Sequence, residues 1–241
     1  MSGHSRWANI KHRKEGADKK RGAAFTKVSK ELMVAARLGG SDPAANARLR
    51  IAVSKAKAAN MPRENIERVI KKGAGELEGI VYEEVLYEIF APGGVGILVE
   101  ALTDKKSRTT PEIKSMLNKY GANLAAEGAV SRNFERRGVI ILERNGQKED
   151  EWMEFALDAG ADDFIAQDEY FELRSKPEDY AHLQEKLQEK GAQALESGIK
   201  FIPLAGTEMK MDEGESLDKI QKFLDALEDH DDVQLVSSNL V

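Results

Sequence analysis

Charge is distributed very unevenly along this chain. Residues 1–75 hold 18 Lys/Arg against 6 Asp/Glu, a net +12, whereas residues 76–241 hold 18 Lys/Arg against 36 Asp/Glu, a net −18. Parts of one chain that differ this much in sign are built to face different partners. The overall charge of −6 conceals the division. A dense basic block is the electrostatic footprint of contact with a phosphate backbone. The plainer reading is a solvated helical face, but too few acids lie within the block for i,i+4 pairing to balance it. A third reading is an adaptor whose basic block docks on an acidic protein.

At 241 residues the chain exceeds one typical domain, and its 41% hydrophobic and 32% charged residues suit a globular protein. It has no cysteine, which removes disulfides, thiolate catalysis and Cys-based metal sites together. The opening Met1-Ser2-Gly3-His4-Ser5-Arg6 runs into a polar, basic stretch rather than an apolar one. No apolar run nears the roughly 20 residues of a membrane span. The expectation is a cytoplasmic protein with no membrane partner.

Hydropathy periods place the elements. Residues 4–21 read as a glycine-punctuated basic arm. Phe25, Val28, Leu32 and Ala35 share one helical face, which Gly39-Gly40 ends. Asp42-Pro43 predicts the start of a second helix with Ala45, Leu49, Ala52/Val53 and Ala56 inward. Pro62 opens a third, with Ile66, Val69 and Ile70 inward and Gly73 closing it. A linker follows to Gly79. Tyr82–Phe90 and Val95–Leu102 predict a hairpin around Ala91-Pro92-Gly93-Gly94. Thr109 and Glu112, with Pro111 between them, predict a capping box opening a helix. Val130–Glu135 predicts a short strand ended by Gly138. From Val139 the order is strand, helix, two strands, helix, strand, that of a split β-α-β-β-α-β sandwich. A last helix and strand, Leu217–Leu227 and Val233–Ser237, supply what the set at 80–135 lacks.

The expected fold is therefore α+β in three domains: a helical bundle, then two ferredoxin-like α/β sandwiches, the last inserted into the middle one. The boundaries are 1–78, 79–137 with 207–241, and 138–206.

No Ser-His-Asp set, HExxH or GxxxxGK[ST] occurs. His4 and His12 lack neighbouring carboxylates, while His182 and His230 read as surface histidines. The acidic clusters at Glu149-Asp150-Glu151 and Asp229/Asp231/Asp232 lack calcium-loop spacing and read as helix-terminal, solvating charge. No catalytic residue, metal, cofactor or small-molecule substrate is expected. The candidate nucleic-acid contacts are Arg6, Trp7, Lys11, Arg13, Lys14, Lys19, Lys20, Arg21 and Lys27 of the arm and first helix. Arg48, Arg50, Lys55 and Lys57 of the second helix complete the set. Trp7 among cations suits stacking on an unpaired base, or alternatively anchoring to the bundle. Lysine-rich arms suit phosphates as point charges.

Gly3-His4-Ser5-Arg6-Trp7-Ala8-Asn9-Ile10-Lys11-His12-Arg13-Lys14, then Lys20-Arg21-Gly22 and Phe25-Thr26-Lys27, closely resemble the opening signature of the YebC/PmpR family. Asn60-Met61-Pro62, Pro92-Gly93-Gly94, Arg108-Thr109, Leu227-Glu228-Asp229 and Asp231-Asp232-Val233-Gln234 match its later landmarks. The resemblance spans nearly the whole chain. Ile89-Phe90-Ala91, Lys105-Lys106-Ser107 and Arg132 depart from the pattern. The resemblance implies a three-domain fold and a non-enzymatic regulator. It implies either a DNA-binding transcriptional regulator or a translation factor at the ribosome, with DNA or ribosomal RNA as the partner.

Overall fold

The structure, a computed structural model, describes residues 21–212 and 214–240, with side chains from 24 onward. The arm residues Arg6, Trp7, Lys11, Arg13, Lys14, Lys19 and Lys20, together with His4 and His12, lie outside the described residues. Among those described are seven α-helices and two four-stranded antiparallel sheets. No described helix is long and apolar enough to cross a membrane. The chain divides into two compact units: residues 21–131 with 211–238, and residues 132–210 with 239–240.

The discontinuous unit begins with three helices, α1 (Arg21–Gly39), α2 (Ala47–Ala58) and α3 (Arg63–Gly73). Their shared core is Leu32, Ala35, Ala36, Leu49, Ala52, Ala56, Met61 and Ile66, with Phe25, Val28, Val53, Val69 and Ile70 packed around it. Four alanines let the helix axes approach closely, and each fully buried Leu or Ile contributes about 1.5–3 kcal/mol. Helix α2 starts later than Asp42-Pro43 suggests. The Asp42 carboxylate accepts from the Ala44 N–H at 2.9 Å and shapes a turn. The helix is capped instead by Asn46, whose Oδ1 accepts from Leu49 N–H at 3.0 Å while its amide donates to Ala35 O at 2.8 Å. Asx turns and N-caps use the same side-chain chemistry, and here the cap lies four residues on. Ala45 accordingly sits before the helix and is exposed.

Beyond the bundle, β1 (Glu83–Ala91) and β2 (Val95–Thr103) form a hairpin through Pro92–Gly94. Gly93 and Gly94 have φ of 79° and 81°, a region that side chains disfavour. Helix α4 (Lys106–Tyr120), the two-residue β3 (Asn123–Leu124), α7 (Glu215–Glu228) and β8 (Val233–Ser238) complete the unit. The sheet order is β3-β1-β2-β8, so the last strand pairs with β2. Helices α4 and α7 meet through the stacked rings of Tyr120 and Phe223, 4.9 Å between centroids.

Helix α4 begins three residues before the predicted capping box. Thr109 lies inside it and is fully buried, with its hydroxyl turned to other partners, and Pro111 sits in its second turn.

The intervening unit runs β4 (Phe134–Glu143), α5 (Glu149–Asp158), β5 (Asp163–Ala166), β6 (Tyr170–Ser175), α6 (Tyr180–Glu189) and β7 (Ala194–Pro203). Its sheet order is β5-β6-β4-β7, all pairs antiparallel. The strands predicted at Val130–Glu135 and Val139–Glu143 are one strand, preceded by a 3-10 turn at Ser131–Asn133. Gly138 does not break it, because glycine is needed there for a close approach. A Cβ at that position would lie 2.5 Å from Ser175 Oγ and 2.7 Å from Tyr180 Cβ. The core combines aromatic contacts, Trp152 with Phe155 and Phe171 and Phe164 with Phe171 at centroid separations of 5.2–6.2 Å, with an aliphatic cluster of Val139, Ile141 and Ile202 around Tyr170.

Candidate nucleic-acid interface

The candidate cations divide into two kinds. Lys27, on α1, is half-buried, and its Nζ donates to the carbonyl of Glu228 at 2.5 Å. Burial lowers its pKa, partly offset by Glu228, Asp229 and Asp231. Arg48 donates from Nε and Nη2 to the Glu31 carboxylate at 2.8 and 3.2 Å, and from Nη2 to Glu84 at 2.7 Å. Burial opposes its charge, but the bonds to Glu31 and Glu84 outweigh it and raise its pKa further. Arg50 donates to the carbonyls of Pro43 and Ala44 at 3.1 and 3.3 Å. These three side chains are engaged within the protein. Lys55 and Lys57 are exposed, with no ion pair among the described residues. Arg21 lies in the first turn of α1.

Three further exposed or half-exposed cations escaped the sequence reading. The last turns of the three bundle helices carry Arg37, Lys55 with Lys57, and Lys71 with Lys72. Cations at helix C-termini complement the dipole by about 0.3–1 kcal/mol each, which is a structural role. Their surface role follows from the same geometry. A helix C-terminus repels anions, so attraction for phosphate at this end has to come from side chains. The Lys71-Lys72-Gly73 stop signal could have revealed the second pair.

Charge is also buried in this unit. Lys30, 6% exposed, donates to Asp232 Oδ1 at 2.5 Å and to Asp231 O at 2.9 Å. Asp232, 2% exposed, also accepts from Thr109 Oγ1 at 2.6 Å and Arg108 Nη2 at 2.9 Å. Since a carboxylate only accepts, Thr109 spends its proton on Asp232, and Thr103 donates to Thr109 Oγ1 at 2.7 Å. Thr103 Oγ1 in turn accepts from Lys105 N–H at 3.0 Å, tying the start of α4 into the chain. Burial pushes the Asp232 carboxyl up, but its bonds from Lys30, Thr109 and Arg108 win and hold it well below the usual carboxylate range. Asp232 is therefore not the solvating charge that its acidic run suggested.

Glu112, His230 and Asp232 bring three potential ligand atoms within 4.8 Å. The donor set does not fit a metal. Both Asp232 oxygens are spent on cations and a hydroxyl. His230 Nδ1 accepts from Asp232 N–H at 3.1 Å, which puts the neutral ring's proton on Nε2, facing Glu112 Oε2 at 3.1 Å. His182, the other described histidine, is exposed.

A second buried carboxylate organises the loop after β3. Glu88 accepts from the N–H groups of Gly128, Val130 and Ser131 at 2.7–2.8 Å and from Ser131 Oγ at 3.0 Å. Burial raises its pKa, but these four bonds lower it by more.

Residues 5–76 match the model for the TACO1/YebC protein N-terminal domain, and residues 82–240 match that for the TACO1/YebC second and third domain. A protein of Leptospira biflexa described as "Probable transcriptional regulatory protein" is 54% identical over 99% of this chain and 96% of its own length. A similarly described protein of Sulfurihydrogenibium is 51% identical over 99% and 95%. The crystal structure of a conserved hypothetical protein from Aquifex aeolicus shares the fold with a TM-score of 0.83, at 44% identity over 93% of this chain and 92% of that one. Two adjoining family models and full-length relatives at this identity establish that the chain belongs to the TACO1/YebC family.

Proposed function

We propose that this chain is a non-enzymatic regulator of gene expression that grips a nucleic-acid backbone through its basic N-terminal region. The observation that carries this is the +12 against −18 division of charge. The exposed cations at the ends of the bundle helices support it, as does the description of full-length relatives as regulators of transcription. Arg6, Lys11, Arg13, Lys14, Lys19, Lys20 and Arg21 would supply the arm's phosphate contacts, with Trp7 stacking on an unpaired base. Lys55 and Lys57 would extend that track along α2. Lys27, Arg48 and Arg50 would shape the surface through their internal bonds, which leaves no rigid pair of arginines on α2 to read guanine edges. That favours RNA, where unpaired bases are accessible, over site-specific duplex DNA.

The chain would then comprise three domains: a helical domain, a middle α+β domain completed by the C-terminal helix and strand, and an inserted ferredoxin-like sandwich. The gap between the family models at residues 77–81 supports the first boundary.

The test measures binding of the full chain to a structured ribosomal RNA fragment and to promoter and scrambled duplex DNA, across salt. Six or more phosphate contacts should weaken affinity by about 10³ or more between 50 and 200 mM salt. Replacing Lys55 and Lys57 by Glu should weaken binding to all sequences alike. A flat salt response sinks the proposal. Promoter discrimination above about 10³-fold would assign the activity to site-specific DNA binding instead.

A further inference from the structure

Strand β1 is paired along its whole length on one side only. Its inner neighbour β2 covers Glu83 to Ala91, whereas β3 meets its outer side only at Ile89 and Phe90, with one further bond from Ala125 N–H to Glu88 O. That bond fixes the alternation, because in an antiparallel ladder a residue's N–H and C=O point the same way. Glu88 faces outward, so Glu84 and Leu86 do too. Their backbone groups form an open edge among the described residues. Natural sheets protect such edges with bulges, prolines, charged side chains or a covering element. Between Glu83 and Glu88 β1 has no bulge and no proline, and two of its three charges are already engaged, Glu84 with Arg48 and Glu88 with the 128–131 loop.

Apolar side chains are concentrated along the same path. Leu77, Ile80, Val81 and Leu86 are 42–56% exposed, and all lie on this strand or the segment that feeds it. The segment from 78 to 82 carries no regular structure. It borders a cavity of about 600 Å³ between α1 and the end of α3, lined by Met33, Arg37, Lys72, Glu76, Ile80 and Tyr82 among others. Arg37 and Lys72 have no ion-pair partner among the described residues, so the cavity carries a net positive rim with Glu76 as its one acid.

We infer that the outer edge of β1 and the cavity at its entrance form a docking site for an extended, acidic-ended peptide segment of a partner protein. The segment adds as a strand through the backbone of Glu84 and Leu86, the mode known as β-augmentation. Every pairing in this sheet is antiparallel. An incoming antiparallel strand runs from the Glu88 end toward Gly79, which brings its C-terminal end to Arg37 and Lys72. Apolar residues at alternate positions cover Leu86 and Ile80, and terminal carboxylates meet the two cations. At about 3.3 Å per residue the path accommodates roughly ten residues. Arg37 and Lys72 can also meet a phosphate, but the open backbone edge and the apolar side chains beside it fit a peptide strand and not a nucleic-acid backbone.

The test selects a library of random decapeptides displayed against the full-length protein, then measures affinities of synthesised winners by fluorescence anisotropy. Enriched sequences should alternate apolar and polar residues and end in Asp, Glu or a free carboxylate. Leu86→Pro removes an outward N–H while sparing the bonds to β2, since proline is tolerated on the open side of an edge strand. It should weaken binding at least tenfold, as should the pair Arg37→Glu, Lys72→Glu. If Leu86→Pro lowers the melting temperature, Ile80→Asp provides the same reading from the side-chain surface. The inference is overturned if no such sequences are enriched, or if winners bind these variants as well as the parent. It is also overturned if the edge proves to pair two copies of this chain, seen as self-association abolished by Leu86→Pro. Displacement of the peptide by a ten-residue uridine oligonucleotide at equal concentration would assign the site to nucleic acid and overturn it as well.

Discussion

The two units hold their buried charge in opposite ways. In the discontinuous unit the Lys30–Asp232 pair joins residues 202 apart in sequence, and Thr109 and Arg108 reach the same carboxylate across 123 and 124 residues. In the intervening unit the buried carboxylate of Glu172 is met by Arg174 two residues along the same strand, at 2.8 Å, and aromatic rings and branched aliphatic side chains make the core. Each kind of cohesion suits its own layout of chain. Hydrophobic packing is non-directional, so a stretch of chain that holds its whole sheet between residues 134 and 203 can rely on it. A carboxylate that satisfies a lysine, an arginine and a threonine accepts only one arrangement, which suits a unit whose parts arrive from both sides of an insertion.

The largest effect is expected from Asp232→Ala. Leaving Lys30 buried without its partner should cost about 3–5 kcal/mol, read as a fall in the denaturant midpoint of the discontinuous unit. Adding Lys30→Met should recover much of the loss, and a coupling near zero in that double-mutant cycle would show the pair to be incidental. In the intervening unit the corresponding blow is steric. Gly138→Ala drives a methyl into Ser175 and Tyr180 and should cost about 1–3 kcal/mol, with the discontinuous unit's hydrogen-exchange protection unchanged.

Glu88→Gln should cost about 1–3 kcal/mol, since an amide nitrogen would then face N–H donors that a carboxylate oxygen satisfied. The readout is faster exchange at Gly128, Val130 and Ser131. The smallest effect comes from pH. Asp232 and Glu88 both have depressed folded-state values, so their stabilisation is complete above the ordinary 3.8 and 4.5 and drains as pH falls toward the folded values. Thermal scans from pH 6 to pH 3 should show the discontinuous unit weakening below about pH 4.5, with a shallower slope in Asp232→Asn. Equal slopes in parent and variant would refute this account of the carboxylate.

Much of the fold was legible in the sequence because apolar spacing is a local signal. Leu32, Leu49, Ala52, Ala56 and Ile66 are inward as their periods require. What escaped was set by tertiary neighbours. Nothing local distinguishes Asp232 from Asp229 and Asp231 beside it, because its burial depends on Lys30, two hundred residues away. Thr109 reads as a cap until Asp232 claims its hydroxyl. Gly138 reads as a strand end until Tyr180 packs on it. At the candidate interface, counting charges located the basic region but could not separate Lys55 and Lys57, which face solvent, from Lys27, Arg48 and Arg50, which are held by carbonyls and carboxylates. The Lys27 and Lys30 partners lie at the other end of the chain, beyond any window a periodicity can scan.

The Lys30–Asp232 clasp also sets a timetable. Translation delivers roughly 5–20 residues per second, so about 10–40 seconds pass between the emergence of Lys30 and that of the carboxylate it needs. Throughout that interval β2 lacks its outer partner β8, and the ammonium group of Lys30 remains in water because nothing yet repays its burial. The intervening unit, whose residues 134–203 are complete sooner, has every strand of its sheet in hand first. A nascent chain of this protein thus has the whole sheet of its middle in hand before the clasp that ties α1 to the C-terminal segment can close.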